Sequence, residues 1–213
     1  SGYPRVRAGG ERRSTAVTRH GALTAARPAG HNDRAVPPIC RLESATMARL
    51  PRIALFLTGG TIDSVGSDRL DLAWYNEAGQ RLAPGELLGM VPEAEQVAAV
   101  TEVPFRRLSS HALQPADLIE LGRAVAQLLA SDAADGVVIA HGTNTLEETA
   151  YFLHLTVRTA RPIVLVGAMR PASALSPDGP LNLLRALQVA ASPAAHGRGV
   201  LVVLNDTIHS ARD

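Results

Sequence analysis

The stretch GVVIAHGTNTLEET at residues 136–149 joins a strand, a polar turn and the start of a helix. Its first five residues are continuously apolar, which is typical of a short strand buried on both faces. Residues 145–156 predict a helix, and Thr145-x-x-Glu148 fits a capping box at its start. Between strand and helix, residues 141–145 place polar side chains around a glycine. The stretch therefore indicates an α/β unit with polar groups at the carboxyl end of a strand.

Segments with strand-like and helix-like patterns alternate on both sides of this unit. The apolar runs predict strands at 53–57, 97–108, 136–140, 162–166 and 199–204. The helical spacing of apolar residues predicts helices at 85–90, 115–131, 145–156 and 179–191. Residues 63–83 have the glycine and polar content of a flexible hairpin or lid. This order predicts an α/β fold with an open, mainly parallel sheet and helices on both faces.

Polar residues follow several of the predicted strands directly. They occur at 58–61, 141–145, 167–170 and 205–206. In open parallel sheets, ligands bind in the crevice beyond the carboxyl ends of the strands. We therefore expect these four segments to meet at one edge of the sheet and to form a binding site there.

Two threonines in these segments, Thr61 and Thr143, are candidates for nucleophilic chemistry. A hydroxyl is a weak nucleophile at neutral pH, so it needs a base and a fixed geometry. The helix N-terminus after residue 144 favours a carboxylate or a developing oxyanion. The purely structural alternatives are a tight turn at 58–61 and helix capping by Asn144 and Thr145.

The absence of several known motifs argues against the corresponding classes of site. Neither G-x-G-x-x-G nor Gly-Lys-Ser/Thr is present, so neither phosphate-binding fingerprint is met. Ser109-Ser110-His111 lacks the G-x-S-x-G elbow of a serine hydrolase, and we interpret it as a source of hydrogen-bond donors for a substrate carboxylate. His154, His196 and His209 have no spacing that indicates a metal site. No metal is expected.

Composition narrows the range of partners. A net charge of +1, from 21 basic and 20 acidic residues, gives no electrostatic reason to expect nucleic acid or a membrane surface. No apolar run approaches the roughly 18 residues of a membrane span. The single cysteine, Cys40, fits a reducing compartment, so a cytoplasmic location is expected.

Residues 1–46 differ from the rest of the chain. They contain eight arginines, three acidic residues and scattered Gly, Pro and Ser, without strand or helix periodicity. Such a segment buries too little apolar surface to offset its ordering entropy, so we expect it to be disordered. It has the composition of an Arg-rich transit peptide, and the alternative is a non-native extension upstream of Met47. The folded domain is expected at 47–213.

Four motifs in order resemble the bacterial-type L-asparaginase family over residues 52–213. They are TGGTI at 58–62, HGTNTLEETAYFL at 141–153, VGAMRPASALSPDGPLNL at 166–183 and GVLVVLNDTIHSARD at 199–213. The resemblance implies the N-terminal α/β domain of an asparaginase, truncated before the family's lysine motif and its C-terminal domain. It also implies a small-molecule substrate, no cofactor, and a homotetramer when full length.

The resemblance also implies roles for individual residues in the hydrolysis of L-asparagine. Thr61 would be the nucleophile that forms a β-aspartyl ester, and Tyr75, from the lid, would assist it. Thr143 would belong to a second threonine centre near the attacking water. The residues that would contact the substrate are Ser110, at the α-carboxylate, together with His111, Asn144 and Ala168.

Two departures from the family pattern bear on activity. Asn144 stands where the family has an aspartate that holds the substrate α-ammonium group, so a charge-assisted hydrogen bond is lost. The chain contains no lysine, so the threonine–lysine–acid triad cannot be completed within it. We therefore expect the 213-residue chain to be inactive alone. The alternatives are a glutamine-hydrolysing amidotransferase subunit and a non-catalytic amino-acid-binding module.

Overall fold

A computed structural model describes residues 49–77 and 79–212. A six-stranded sheet has the order β2-β1-β3-β4-β5-β6. Strands β1 to β5 run parallel to one another, and β6 is antiparallel to β5. The strands are β1 Arg52–Leu57, β2 Ala99–Val103, β3 Gly136–Ala140, β4 Ile163–Val166, β5 Val200–Leu204 and β6 Thr207–Ser210. The expectation of disorder at 1–46 lies outside the described residues.

Helices cover both faces of the sheet, as predicted. They are α1 Glu86–Gly89, α2 Pro115–Ala130, α3 Leu146–Thr156 and α4 Gly179–Ala191. Alternate residues along β1, β3, β4 and β5 belong to two separate cores, because successive side chains point to opposite faces. Leu55 and Val138 pack in the core that includes residues of α1 and α4, and Phe56 and Val137 pack in the core that includes residues of α2 and α3. Burial on both faces explains why the central strands are apolar throughout.

Short 3-10 helices complete the described secondary structure. They span Thr61–Asp63, Pro92–Gln96, Ser110–Ala112, Thr143–Thr145 and Pro193–Ala195. Three of these turns come after β1, β2 and β3 and lie beyond the carboxyl ends of those strands. They are Thr61–Asp63, Ser110–Ala112 and Thr143–Thr145. No helix in 49–77 or 79–212 is both long enough and apolar enough to cross a membrane.

The strand predicted at 97–108 is shorter than expected. β2 covers Ala99–Val103, because Pro104 has no N–H to donate to the sheet and Val97 belongs to the preceding 3-10 turn. The chain beyond Pro104 returns to the sheet edge, where the N–H of Leu108 donates to the carbonyl of Thr58 at 2.8 Å. Residues 104–109 are therefore an irregular segment along the end of β1.

The capping box predicted at Thr145 is wrong. The Thr145 hydroxyl donates instead to the backbone carbonyl of Ser110 at 3.1 Å, and the side chain makes no capping hydrogen bond to its own helix. A capping box does form at α2, where Gln114 and Asp117 exchange side-chain and backbone hydrogen bonds. The Thr145 side chain therefore links the start of α3 to the turn at Ser110 and does not cap its own helix.

Strand β6 was not predicted, and it changes the interpretation of residues 205–206. Asn205 and Asp206 have φ values of 49° and 58°, so they form a two-residue hairpin turn between β5 and β6. The Asp206 carboxylate accepts a hydrogen bond from Arg185 at 2.7 Å. The expectation that these two residues belong to the binding site is wrong, because they do not line the cavity described below.

An ion pair lies at the opposite side of the sheet from these turns, at the amino ends of β1 and β3. Arg52, at the start of β1, donates through its backbone N–H and its guanidinium to Asp135, just before β3. These hydrogen bonds from Arg52 hold the pKa of Asp135 at about 2. The pair lies at the end of β1 remote from Thr61.

Candidate active site

The strand order reverses between β1 and β3, and a cavity lies at their carboxyl ends. The chain leaves β1 for one edge of the sheet and leaves β3 for the other, which opens a crevice between the two loops. The cavity has a volume of about 190 Å³. It is lined by Gly60, Thr61, Tyr75, Asn76, Ser109, Ser110, His111, Gly142, Thr143, Asn144, Ala168 and Met169.

All seven site residues predicted from the sequence line this one cavity. They are Thr61, Tyr75, Ser110, His111, Thr143, Asn144 and Ala168. They come from five separate segments, which follow β1, β2, β3 and β4 or belong to the loop between 64 and 81. Convergence of the strand ends, predicted from topology, is what brings them together. Their individual roles stay predictions.

Two glycines allow the threonine-bearing turns to touch. Gly60 has a φ of 112°, and a Cβ added to it would lie 2.3 Å from the Cα of Gly142. A side chain on Gly142 would in turn lie 2.6 Å from the Ser110 hydroxyl. Only glycine fits such a backbone-to-backbone contact. The contact therefore fixes the distance between the turns that carry Thr61 and Thr143.

The Thr61 hydroxyl is hydrogen bonded to Tyr75. The two hydroxyl oxygens lie 2.9 Å apart, and either can donate. Tyr75 is half-buried and lies in the loop that leaves the sheet after Asp63 and returns at Arg81. A phenol at this distance can take or give the threonine proton, which is the geometry that general acid–base catalysis requires.

Backbone contacts hold the Tyr75 loop at its base and along one side. The base closes with a bridge between Ser64 and Arg81. The N–H of Val65 donates to Gln80 at 3.0 Å. The loop also contacts the segment after β4, where Gly66 donates its N–H to the Ser173 hydroxyl at 2.8 Å. The antiparallel bridge agrees with the hairpin that composition predicted for this segment, and its flexibility stays a prediction.

His141 supports the second turn from behind rather than lining the cavity. Its imidazole is fully buried, with Nδ1 at 2.7 Å from the Gly142 carbonyl and Nε2 at 3.0 Å from the Thr149 hydroxyl. A carbonyl can only accept, so Nδ1 carries the proton and Nε2 accepts from Thr149. Burial lowers the pKa of His141 from its ordinary value, which favours this neutral form.

Comparison with known proteins identifies the family. The family model described as "Asparaginase, N-terminal" matches residues 52–213. The chain belongs to the asparaginase family. Relatives include a glutaminase-asparaginase of Pseudomonas fluorescens biotype A, 44% identical over 171 residues, which are 80% of this chain and 47% of the relative. L-asparaginase 2 of Bacillus subtilis (strain 168) is 45% identical over 163 residues, 76% of this chain and 43% of the relative.

A solved structure shows the same fold. The crystal structure of a probable cytoplasmic L-asparaginase from Campylobacter jejuni matches with a TM-score of 0.71 and 39% sequence identity. The match covers 76% of this chain and 48% of that chain. The chain therefore spans about half the length of the curated relatives it matches, and it corresponds to the N-terminal domain of an asparaginase.

The cavity of this asparaginase domain is polar but carries little charge. Among its described lining residues there is no aspartate, glutamate, arginine or lysine, and the ionisable side chains are those of Tyr75 and His111. The Asn144 side chain makes no hydrogen bond within the described part of the chain, and the residue is exposed. In residues 49–77 and 79–212 no cluster of three potential metal ligands occurs.

Sequence reasoning assigned no site role to Asn76 and missed a buried ionic cluster. Asn76 borders the cavity next to Tyr75, whereas Ser109 and Met169, which also border it, lie in segments that were predicted to form the site. Asp63 is buried behind the first turn and pairs with Arg81 and Arg107. The available signal was its charge, because Asp63 is the one charged residue between Arg52 and Asp68. Its partners are separated by 18 and 44 positions in sequence, so no local pattern identified them.

Proposed function

We propose that this chain is the N-terminal part of an amidohydrolase that converts L-asparagine to L-aspartate and ammonia. The observation that carries the proposal is the Thr61–Tyr75 hydroxyl pair, 2.9 Å apart, in a cavity that Thr143 also lines. A weak nucleophile held against a proton acceptor is the arrangement that covalent acyl transfer requires.

In the proposed first half-reaction, the Thr61 hydroxyl oxygen attacks the carbon of the side-chain amide. As Tyr75 takes up the proton of the Thr61 hydroxyl, it passes its own phenolic proton towards the amide nitrogen. The protonated nitrogen then leaves as ammonia when the C–N bond breaks. A β-aspartyl ester on Thr61 results. Backbone N–H groups of the two glycine-bordered turns are available to stabilise negative charge on the amide oxygen, which would supply much of the acceleration.

In the second half-reaction, a water molecule near Thr143 attacks the ester carbon. The bond to the Thr61 oxygen breaks, Thr61 recovers its proton, and aspartate is released. Neither step needs a redox or group-transfer cofactor, because the first transfers the acyl group from nitrogen to oxygen and the second from oxygen to oxygen. Ser110 and His111 would bind the substrate carboxylate, and Asn144 and Ala168 would contact its α-ammonium and amide groups.

The proposal extends to the whole protein. We infer a cytoplasmic homotetramer that acts on a small molecule, as the resemblance implies. Glutamine is a second candidate substrate, because relatives of this chain are named glutaminase-asparaginases. The 213 residues contain no lysine, so a lysine-dependent step must use residues outside them. We accordingly expect the 213-residue chain alone to release negligible ammonia.

The experiment compares Thr61→Ala and Thr61→Ser in the full-length protein. Ammonia release from L-asparagine and L-glutamine is measured, with Thr101→Ala as the control because Thr101 is an exposed threonine on β2. We expect Thr61→Ala to abolish hydrolysis, Thr61→Ser to retain part of it, and the control to match wild type. Mass spectrometry of acid-quenched enzyme should show an aspartyl group on the peptide containing Thr61.

Three outcomes would change the proposal. Turnover by a folded Thr61→Ala variant would move the nucleophile elsewhere, with Thr143 as the next candidate. Faster hydrolysis of glutamine than asparagine would favour the glutamine-hydrolysing alternative. Binding of asparagine by the wild-type protein without any ammonia release would favour the non-catalytic amino-acid-binding module.

A further inference from the structure

Asp63 is a fully buried carboxylate two residues after Thr61. Its Oδ1 lies 2.6 Å from Nη1 of Arg81, and its Oδ2 lies 2.8 Å from Nη2 of Arg107. The side chains of the two arginines are each 20% exposed. Thr61, Ile62 and Asp63 form a single 3-10 turn, so the position of Asp63 also constrains the position of Thr61.

A buried carboxylate needs compensating partners. Transfer of a charge from water into a protein interior is unfavourable unless ion pairs and hydrogen bonds replace its hydration. Asp63 obtains these partners from two segments distant in sequence: the base of the Tyr75 loop, through Arg81, and the irregular segment after β2, through Arg107. The turn that carries Thr61 is thereby attached to both neighbouring segments of the cavity.

Arg81 makes further contacts on the cavity side of this cluster. Its Nη1 donates to the Gly60 carbonyl at 3.2 Å, and its Nη2 donates to the Ser109 hydroxyl at 3.4 Å. The Gly60 carbonyl also accepts from the Ser64 hydroxyl at 2.7 Å. Because the Gly60–Thr61 peptide is trans, its N–H points away from these donors. Arg81 therefore fixes the orientation of the peptide that leads into Thr61.

Arg81 also closes the base of the loop that carries Tyr75. Its backbone pairs with Ser64 in the bridge that ends the loop, and the next residue, Leu82, donates its N–H to the carbonyl of Asp63 at 2.9 Å. One side chain thus contacts the Thr61 turn, and its own backbone anchors the Tyr75 loop. The relative position of the two hydroxyls depends on this connection.

We propose that Arg81, held by Asp63, is a positioning residue that sets the distance between the Thr61 and Tyr75 hydroxyls. The inference rests on the proposed function, because it assigns Arg81 a part in the same hydrolysis. Arg81 does not line the cavity and acts through Gly60 and the loop base. Its loss should therefore slow the chemical step more than it weakens substrate binding.

The experiment uses Arg81→Gln and Arg81→Lys in the full-length protein. Arg52→Gln is the matched control, because it removes an arginine from an ion pair with an aspartate at the remote end of β1. We expect Arg81→Gln to lower kcat roughly 10- to 100-fold with little change in KM, since small displacements of reacting groups have effects of this size. Arg52→Gln should leave kcat unchanged.

Arg81→Lys keeps the proposal testable if Arg81→Gln does not fold. An ammonium group can still pair with Asp63, but it lacks the forked geometry that reaches Gly60 and Ser109 together. We expect a folded protein with kcat below wild type. Wild-type kcat in Arg81→Lys, or in a folded Arg81→Gln, would overturn the proposal.

Hydrogen–deuterium exchange separates positioning from general destabilisation, and it does not depend on turnover. In Arg81→Gln, amides of the loop at 65–80 should exchange faster than in wild type, while amides of β1 keep their wild-type rates. Equal acceleration in both segments would overturn the proposal. If the wild-type protein releases no ammonia, the proposed function fails, and the exchange result still decides whether Arg81 fixes the loop.

Discussion

The hydroxyl oxygens of Thr61 and Tyr75 lie 2.9 Å apart, although their backbones belong to different structural segments. Thr61 lies in the 3-10 turn that follows β1, and Tyr75 lies in the loop between Ser64 and Arg81. The loop reaches this position because its base is closed at Ser64 and Arg81 and its side is fixed to Ser173. The pair is therefore a product of tertiary contacts and not of local chain geometry.

Replacing Tyr75 by phenylalanine should impair hydrolysis without unfolding the protein. The substitution retains the ring and removes only the hydroxyl that contacts Thr61, so we expect kcat to fall roughly 100-fold or more, as for loss of a general acid–base group. Steady-state ammonia release from the full-length protein measures the effect. Tyr151→Phe, at an exposed position of α3, is the control. A kcat equal to that of the control would show that Tyr75 takes no part in proton transfer.

Gly60→Ala should strongly reduce stability, activity or both. A methyl group there would overlap the Gly142 backbone at 2.3 Å, and the φ of 112° is itself unfavourable for alanine. Gly197→Ala is the matched control, because Gly197 also has a positive φ but its Cβ would meet nothing within 4 Å in the described part of the chain. We expect the control to lose about 1–2 kcal/mol of unfolding free energy and Gly60→Ala to lose more. Urea denaturation tests this, and equal losses would refute the importance of the contact.

Asn144→Asp should strengthen binding of substrates that carry an α-ammonium group. The new carboxylate would provide a charge-assisted hydrogen bond in a cavity whose described lining has no acidic residue, and we expect a gain of about 1 kcal/mol. The measurement is KM for L-asparagine against KM for succinamate, the analogue without the amino group. Asn76→Asp adds the same charge elsewhere on the cavity wall. If both variants lower KM for asparagine equally, general electrostatic attraction explains the effect and residue 144 has no special role.

His141 should make the folded state less stable as the pH falls. Burial holds the pKa of His141 below its ordinary value near 6.5, so below that pH the unfolded chain binds a proton that the folded chain does not. The stabilisation is present above pH 6.5 and declines at lower pH, by at most about 1.4 kcal/mol per pH unit. In His141→Asn, unfolding free energy from urea titrations should depend less on pH between 7.5 and 5.5. The exposed His196→Asn should keep the wild-type dependence; an unchanged slope in His141→Asn would contradict this account.

The sequence was sufficient to predict the five parallel strands, the helical layers and the location of the cavity, although not strand β6. Continuous apolar runs identified the buried strands, and the parallel arrangement required their carboxyl ends to meet at one edge. Thr61 and Thr143 could be placed together on that basis alone. The resemblance to a family supplied the chemical interpretation, and Tyr75 in particular was assigned through it.

The rest of the site depends on contacts that local patterns do not encode. Asp63, Arg81 and Arg107 are charged residues typical of a solvated loop, yet the fold buries Asp63 fully and places both partly buried arginines against it. The predicted capping box does not form, and the Thr145 hydroxyl donates to the carbonyl of Ser110, 35 positions away, a contact that no local pattern encodes. Residues 205–206 were misassigned because a hairpin turn and a ligand-binding loop favour the same polar residues.

Because Gly60 and Gly142 touch through their backbones, the width of this cavity does not depend on the side chains that set its charge and hydrogen bonding. The gap between the two threonines is determined by main-chain atoms, so substitutions at positions such as 111 or 144 can alter charge and hydrogen bonding while the gap is kept. New amide substrates could therefore be accommodated by a few changes along the rim. An engineer seeking altered selectivity should vary those side chains and keep both glycines.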